Sequence, residues 1–73
     1  MYRADLIRAE MGRQNLSRSA LAVKARLNVN TVSAICRGKE HVEVPTLERV
    51  ATSLGLSMQQ LFEPEQEAQR AAA

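Results

Sequence analysis

Residues 16 to 39 read LSRSALAVKARLNVNTVSAICRGK, and the local chemistry of this stretch repeats itself at two places eleven residues apart. At the first, Ser17 is a helix cap with Leu16 before it and Leu21 four residues into the helix. At the second, Asn28 is the cap, with Leu27 and Val32 in the matching places. A cap whose side chain accepts an orphan amide, flanked by an apolar pair at the staple spacing, marks a helix start. The spacing therefore predicts helices over 18–25 and 29–37, with a corner at Ala25, Arg26, Leu27 and Asn28. Two helices at so short a corner form a helix-turn-helix.

Working outward, apolar spacing stays helical and nowhere shows the sustained alternation of a half-buried strand. Leu6, Ile7 and Met11 form a stripe with Tyr2 one turn earlier, predicting a helix over 3–14 that Asn15 closes in the left-handed conformation. Pro45 and Thr46 open a helix over 47–54, whose Leu47, Val50, Ala51 and Leu54 share a face and which Gly55 stops. Ser57 caps a last helix over 58–62 between Leu56 and Leu61, with Gln60 completing a capping box. The expected fold is all-α, five helices in one domain over residues 1–63. An acidic, then alanine-rich tail over 64–73 is expected to fray or to become helical against a partner.

Composition sets the outer limits. A chain of 73 residues holds one small domain with a thin core, and only Tyr2 and Phe62 are aromatic, so that core is aliphatic. The single cysteine, Cys36, allows no internal disulfide. No apolar run approaches the roughly 20 residues a bilayer requires, and the N-terminus lacks the apolar stretch of a signal peptide, so a reducing cytoplasm is the expected location. The net charge of +2 conceals two opposed halves. Arg3, Arg8, Arg13, Arg18, Lys24, Arg26, Arg37 and Lys39 outweigh Asp5 and Glu10 in the first 39 residues, while Glu40, Glu43, Glu48, Glu63, Glu65 and Glu67 outweigh Arg49 and Arg70 in the rest. Such an asymmetry is a candidate footprint for a polyanion.

Chemistry narrows the function further. In the third helix Val32, Ile35 and Cys36 share the inward face, leaving Asn30, Thr31, Ser33, Ala34 and Arg37 outward and Val29 at the exposed N-terminal end. An almost uncharged face of small polar side chains and methyl groups suits close approach to base edges in a major groove. One histidine, one inward-facing cysteine and no Gly-rich phosphate loop leave no catalytic set to assemble, so no enzyme is expected. Cys36 and His41 fall short of the four ligands of a structural zinc site, and neither metal, cofactor nor small-molecule substrate is expected.

With those residues in view, the chain resembles the lambda-repressor/Cro-like (XRE) helix-turn-helix family. Leu16-Ser17, Leu21-Ala22, Thr31-Val32-Ser33, Ile35 and Arg37-Gly38 follow the family spacing without a gap. Pro45-Thr46-Leu47, the turn Leu54-Gly55-Leu56-Ser57 and Leu61-Phe62 resemble its last two helices. The resemblance implies a five-helix domain binding duplex DNA, with residues 28 to 37 as recognition helix. Base contacts then fall on Asn28, Val29, Asn30, Ser33 and Ala34, and phosphate contacts on Ser17, Arg18, Arg37 and Lys39. Lys24, Arg13 and Thr46 are weaker candidates.

Several positions depart from the family pattern. Arg18 replaces the usual Gln at the start of the second helix. Arg26 replaces the customary glycine of the turn. Met11 and Cys36 stand where the family often pairs Arg with Glu, which predicts a buried, structural thiol packed on a thioether. The expected function is a sequence-specific transcriptional regulator, a repressor binding an inverted-repeat operator as a homodimer, with Leu61, Phe62 and the tail as candidate dimer surface. The alternatives are an antitoxin-like or other protein-binding module that uses the acidic tail, and a nonspecific nucleic-acid coater.

Overall fold

A computed structural model describes residues 2–62, and within them every regular element is an α-helix. In chain order these are α1 (Ala4–Arg13), α2 (Arg18–Ala25), α3 (Val29–Cys36), α4 (Val44–Leu54) and α5 (Met58–Phe62). The expectations for the acidic and alanine-rich tail lie outside the described residues.

Each of the three expected caps is made. Ser17 Oγ accepts from the Ala20 amide at 3.1 Å, and Asn28 Oδ1 accepts from the Asn30 amide at 2.7 Å. At α5 the Gln60 amide donates to Ser57 Oγ at 3.1 Å while the Ser57 amide donates to Gln60 Oε1 at 2.8 Å, a reciprocal capping box. The staple leucines Leu16, Leu27 and Leu56 are half-buried against the core that Leu21, Val32 and Leu61 enter fully.

Helix ends are equally uniform. Asn15, Arg26, Gly38 and Gly55 all sit at positive φ, of 55°, 59°, 83° and 76°. Behind each, the next amide reaches back across the last turn: Leu16 to Met11 O at 2.8 Å, Leu27 to Ala22 O at 2.8 Å, Lys39 to Ala34 O at 3.0 Å and Leu56 to Ala51 O at 2.8 Å. This is the Schellman closure, which satisfies orphan carbonyls and turns the chain sharply. Glycine enters that conformation without penalty, whereas a Cβ costs about 1 kcal/mol or more. Arg26 adopts it all the same, so the turn keeps its left-handed geometry despite the side chain.

One boundary differs from expectation by more than a single residue. α4 starts at Val44, three residues before the expected 47, and Glu43 is its extended N-cap residue at φ −66° and ψ 143°. Pro45 lies inside the first turn, where no intrahelical bond uses an amide, so proline is part of the helix and not merely its preface.

α2 lies chiefly on α3 and α4, and α1 closes the bundle against α3, α4 and α5. Ile7, Leu21, Val32, Ile35, Val50 and Leu61 meet in the centre, essentially without solvent exposure. Each contributes about 1.5 to 3 kcal/mol by leaving water. Leu61 is therefore core, which corrects its place in the expected dimer surface: its aliphatic side chain closes the base of the bundle. Phe62 beside it remains 46% exposed.

Candidate nucleic-acid interface

Between α2 and α3 only Arg26, Leu27 and Asn28 remain outside regular helix. The left-handed Arg26 and the extended Asn28, at φ −72° and ψ 141°, make the corner. Val32, Ile35 and Cys36 are buried, which fixes the rotation of α3 about its axis. Asn28, Val29 and Asn30 are consequently exposed at its N-terminal end, with Ser33 and Ala34 half-buried farther along.

The expected base-reading residues do not offer equal chemistry. Asn28 uses its oxygen on the cap, leaving chiefly its amide protons to donate. The Asn30 carboxamide has no partner among the described residues, so both its donor and its acceptor face outward. This is the combination that pairs with an adenine edge. Val29, 40% exposed, and the half-buried Ala34 present methyl groups, the chemistry that suits a thymine methyl.

The basic residues divide into two sets. Arg3 meets Asp5 at 2.8 Å, Arg13 closes on Glu10, and Arg8 donates to the Cys36 carbonyl. Arg18, Lys24, Arg26, Arg37, Lys39 and Arg49 are exposed and make no ion pair among the described residues. Arg18 opens α2 beside the Ser17 cap, whose hydroxyl still has a proton to donate, and Arg37 and Lys39 follow the end of α3. Arg13, a weaker phosphate candidate, is thus engaged within α1. An i,i+3 pair of opposite charge was visible in the sequence and is the signal that separates it from the free cations. Thr46 does come close to the helix, lining with Thr31, Ala34 and Lys39 a groove of about 300 Å³.

Two residues at the back of α3 escape sequence reasoning. Tyr2 places its buried hydroxyl 2.7 Å from the Lys39 carbonyl and 3.2 Å from that of Ile35. Burial, with a smaller contribution from the neighbouring Cys36, pushes the phenol's pKa up from its ordinary value. Arg8 meets the Cys36 carbonyl from α1. These partners lie 28 to 37 residues apart in the chain, and no local pattern announces them. The expected sulfur contact is present, with Cys36 Sγ 3.6 Å from Met11 Sδ and the thiol buried.

No three His, Cys, Asp or Glu side chains among the described residues are placed to hold a metal ion, and no described helix is long and apolar enough to cross a membrane.

Comparison with known proteins agrees with this geometry. Among curated proteins, none matches the sequence. A solved structure described as a hypothetical transcription factor, NHTF, from Neisseria superposes with a TM-score of 0.83. It is 27% identical in sequence, over 96% of this chain and 79% of the other. Residues 7–67 match the family model described as the Cro/C1-type HTH DNA-binding domain. With the corner, the inward face of α3 and the family match in agreement, the chain belongs to the Cro/C1-type helix-turn-helix DNA-binding family.

Proposed function

We propose that the protein is a cytoplasmic, sequence-specific transcriptional repressor that binds an inverted-repeat operator in duplex DNA as a homodimer. Asn28, Val29, Asn30, Ser33 and Ala34 read bases, and Ser17, Arg18, Arg37 and Lys39 hold phosphates. The observation that carries this is the composition of one surface. An unpartnered Asn30 on an uncharged helix end is flanked by cations that nothing within the described fold neutralises. Groove readout and phosphate attraction require that division of labour.

A single α3 spans only a few base pairs, so two copies on half-sites about 34 to 36 Å apart are needed for specificity. Support for pairing comes from a largely apolar groove of about 420 Å³ lined by Tyr2, Val42, Val44, Leu47 and Phe62 together with Glu40 and His41, with Val44 58% exposed. Phe62→Ser should lower the sedimentation mass if this face pairs.

Selection of bound duplexes from a random pool, followed by salt titration, tests the function. A palindromic motif bound at least about a thousandfold more tightly than random DNA is expected. Arg37→Ala and Lys39→Ala should weaken binding to every sequence and lower the salt slope. Asn30→Ala should cost about 1 to 3 kcal/mol at the selected site alone. Binding no tighter to any selected duplex than to random DNA would mean the protein is a nonspecific coater.

A further inference from the structure

The last carbonyls of a helix have no intrahelical donor, and how they are satisfied decides how firmly that end is held. At the end of α3 the Lys39 and Gly38 amides close the last turn on Ala34 O and Ile35 O, and further donors come from α1 and the segment before it. Tyr2 OH has one proton, directed principally to Lys39 O at 2.7 Å, with Ile35 O at 3.2 Å as the second acceptor. The Arg8 guanidinium donates to Cys36 O. A cation there also meets the negative end of the helix dipole. Arg8 lies one turn before Met11, whose sulfur touches the side chain of the same Cys36. One residue of α3 is therefore held through its side chain by Met11 and through its backbone by Arg8. The segment bearing these groups is itself tied down, because the Arg3 amide donates to Leu61 O at 2.8 Å.

We propose that Tyr2 and Arg8 are positioning residues for base recognition: together they set the angle at which α3 leaves the bundle, without touching DNA. The proposal rests on the operator-binding function above. α3 has eight residues and is about 12 Å long, so a pivot at its C-terminal end displaces Asn28, Val29 and Asn30 at the other. Base-edge hydrogen bonds need placement within about 0.5 Å, whereas long basic side chains follow a phosphate through larger shifts. Loosening the grip thus erodes discrimination while leaving charge-driven binding in place. Tyr2 and Arg8 are distinct in this from Arg37 and Lys39, whose loss affects all DNA alike.

The test compares the full chain with Tyr2→Phe, which removes one hydroxyl and keeps the ring, and with Arg8→Met and Arg8→Lys. Thermal unfolding first establishes that each variant is folded. Affinities are then measured on the duplex selected by the wild-type protein and on a random duplex, across a salt series. For Tyr2→Phe and Arg8→Met the ratio of the two affinities should fall about tenfold, as expected for loss of a hydrogen bond. Random-duplex affinity should stay within about twofold at matched salt, with the salt slope unchanged for Tyr2→Phe. Arg8→Lys, which keeps a donor and the charge, should recover most of the ratio. Amide exchange at residues 37–39 should quicken in Tyr2→Phe and Arg8→Met without DNA present. An unchanged ratio in folded variants, or an equal loss on both duplexes, would overturn the positioning role. A wild-type protein with no preference for any duplex would overturn operator recognition itself, and that is seen before any variant is compared.

Discussion

Arg26→Gly should make the protein more stable, although it removes a side chain and a charge. Arg26 is held at φ 59° and ψ 47°, where a Cβ crowds the following carbonyl at a cost of about 1 to 2 kcal/mol. Glycine escapes that cost but loses about 0.5 to 1 kcal/mol more chain entropy on folding. The difference leaves a gain of about 0.5 to 1 kcal/mol, or about 2 to 8 °C in Tm for a domain of this size. Gly55 supplies the mirror experiment, since it closes α4 by the same motif at φ 76°, and a Cβ built there meets nothing within 4 Å. Gly55→Ala therefore carries the torsional penalty without a clash and should lose stability by a similar amount. Urea and thermal unfolding followed by far-ultraviolet circular dichroism measure both. Arg26→Ala removes the same charge but keeps the Cβ, so it isolates the backbone term. If Arg26→Gly is no more stable than Arg26→Ala, or if Gly55→Ala is neutral, the strain assigned to Arg26 is absent.

Acid sensitivity should trace to Glu10. Hydrogen bonds from Arg13 and then Gln14 lower its pKa from 4.5 to about 2. A depressed folded-state pKa contributes stability above the unfolded value, and this is lost as pH falls from about 4.5 through about 2. Glu10→Gln should flatten that limb of a Tm-against-pH profile, and parallel profiles would exclude the assignment. Cys36 should react with an aromatic disulfide reagent only as fast as the protein opens, with the rate rising in urea; rapid native labelling would show that the thiol is accessible. Ser57→Ala should cost about 1 kcal/mol in urea unfolding by breaking the α5 capping box, and an unchanged midpoint would show that the cap contributes nothing.

Much of the fold was legible because it rests on short-range bonds. Ser17, Asn28 and Ser57 find their partners within three residues, so the cap chemistry written in the chain is the chemistry realised. The start of α4 was less legible because Glu43 caps only with its backbone, leaving no side-chain signature. The outward placement of Asn28, Val29 and Asn30 followed from helical spacing once Val32, Ile35 and Cys36 were assigned inward. Leu61 and Phe62 are adjacent and apolar, and which of them faces the core depends on how α5 sits against α1 and α4. The charge footprint was legible only in outline, since among the eight basic side chains of the first 39 residues the i,i+3 spacing marks Arg13 as paired but nothing local marks Arg8 as engaged.

The sequence by itself determined where the helices begin and end, apart from the start of α4, and that α2 and α3 meet at a tight corner, because capping, stapling and turn closure act across three to five residues. It also determined that Met11 and Cys36 would be buried, since both positions fall on inward helical faces. Only the tertiary structure decided that Arg8 is engaged and what holds the far end of α3. Those outcomes depend on groups such as Tyr2 and Arg8 meeting carbonyls some thirty residues away. A hydrogen bond between distant segments is set by packing of the whole core, and no periodicity in the chain encodes it.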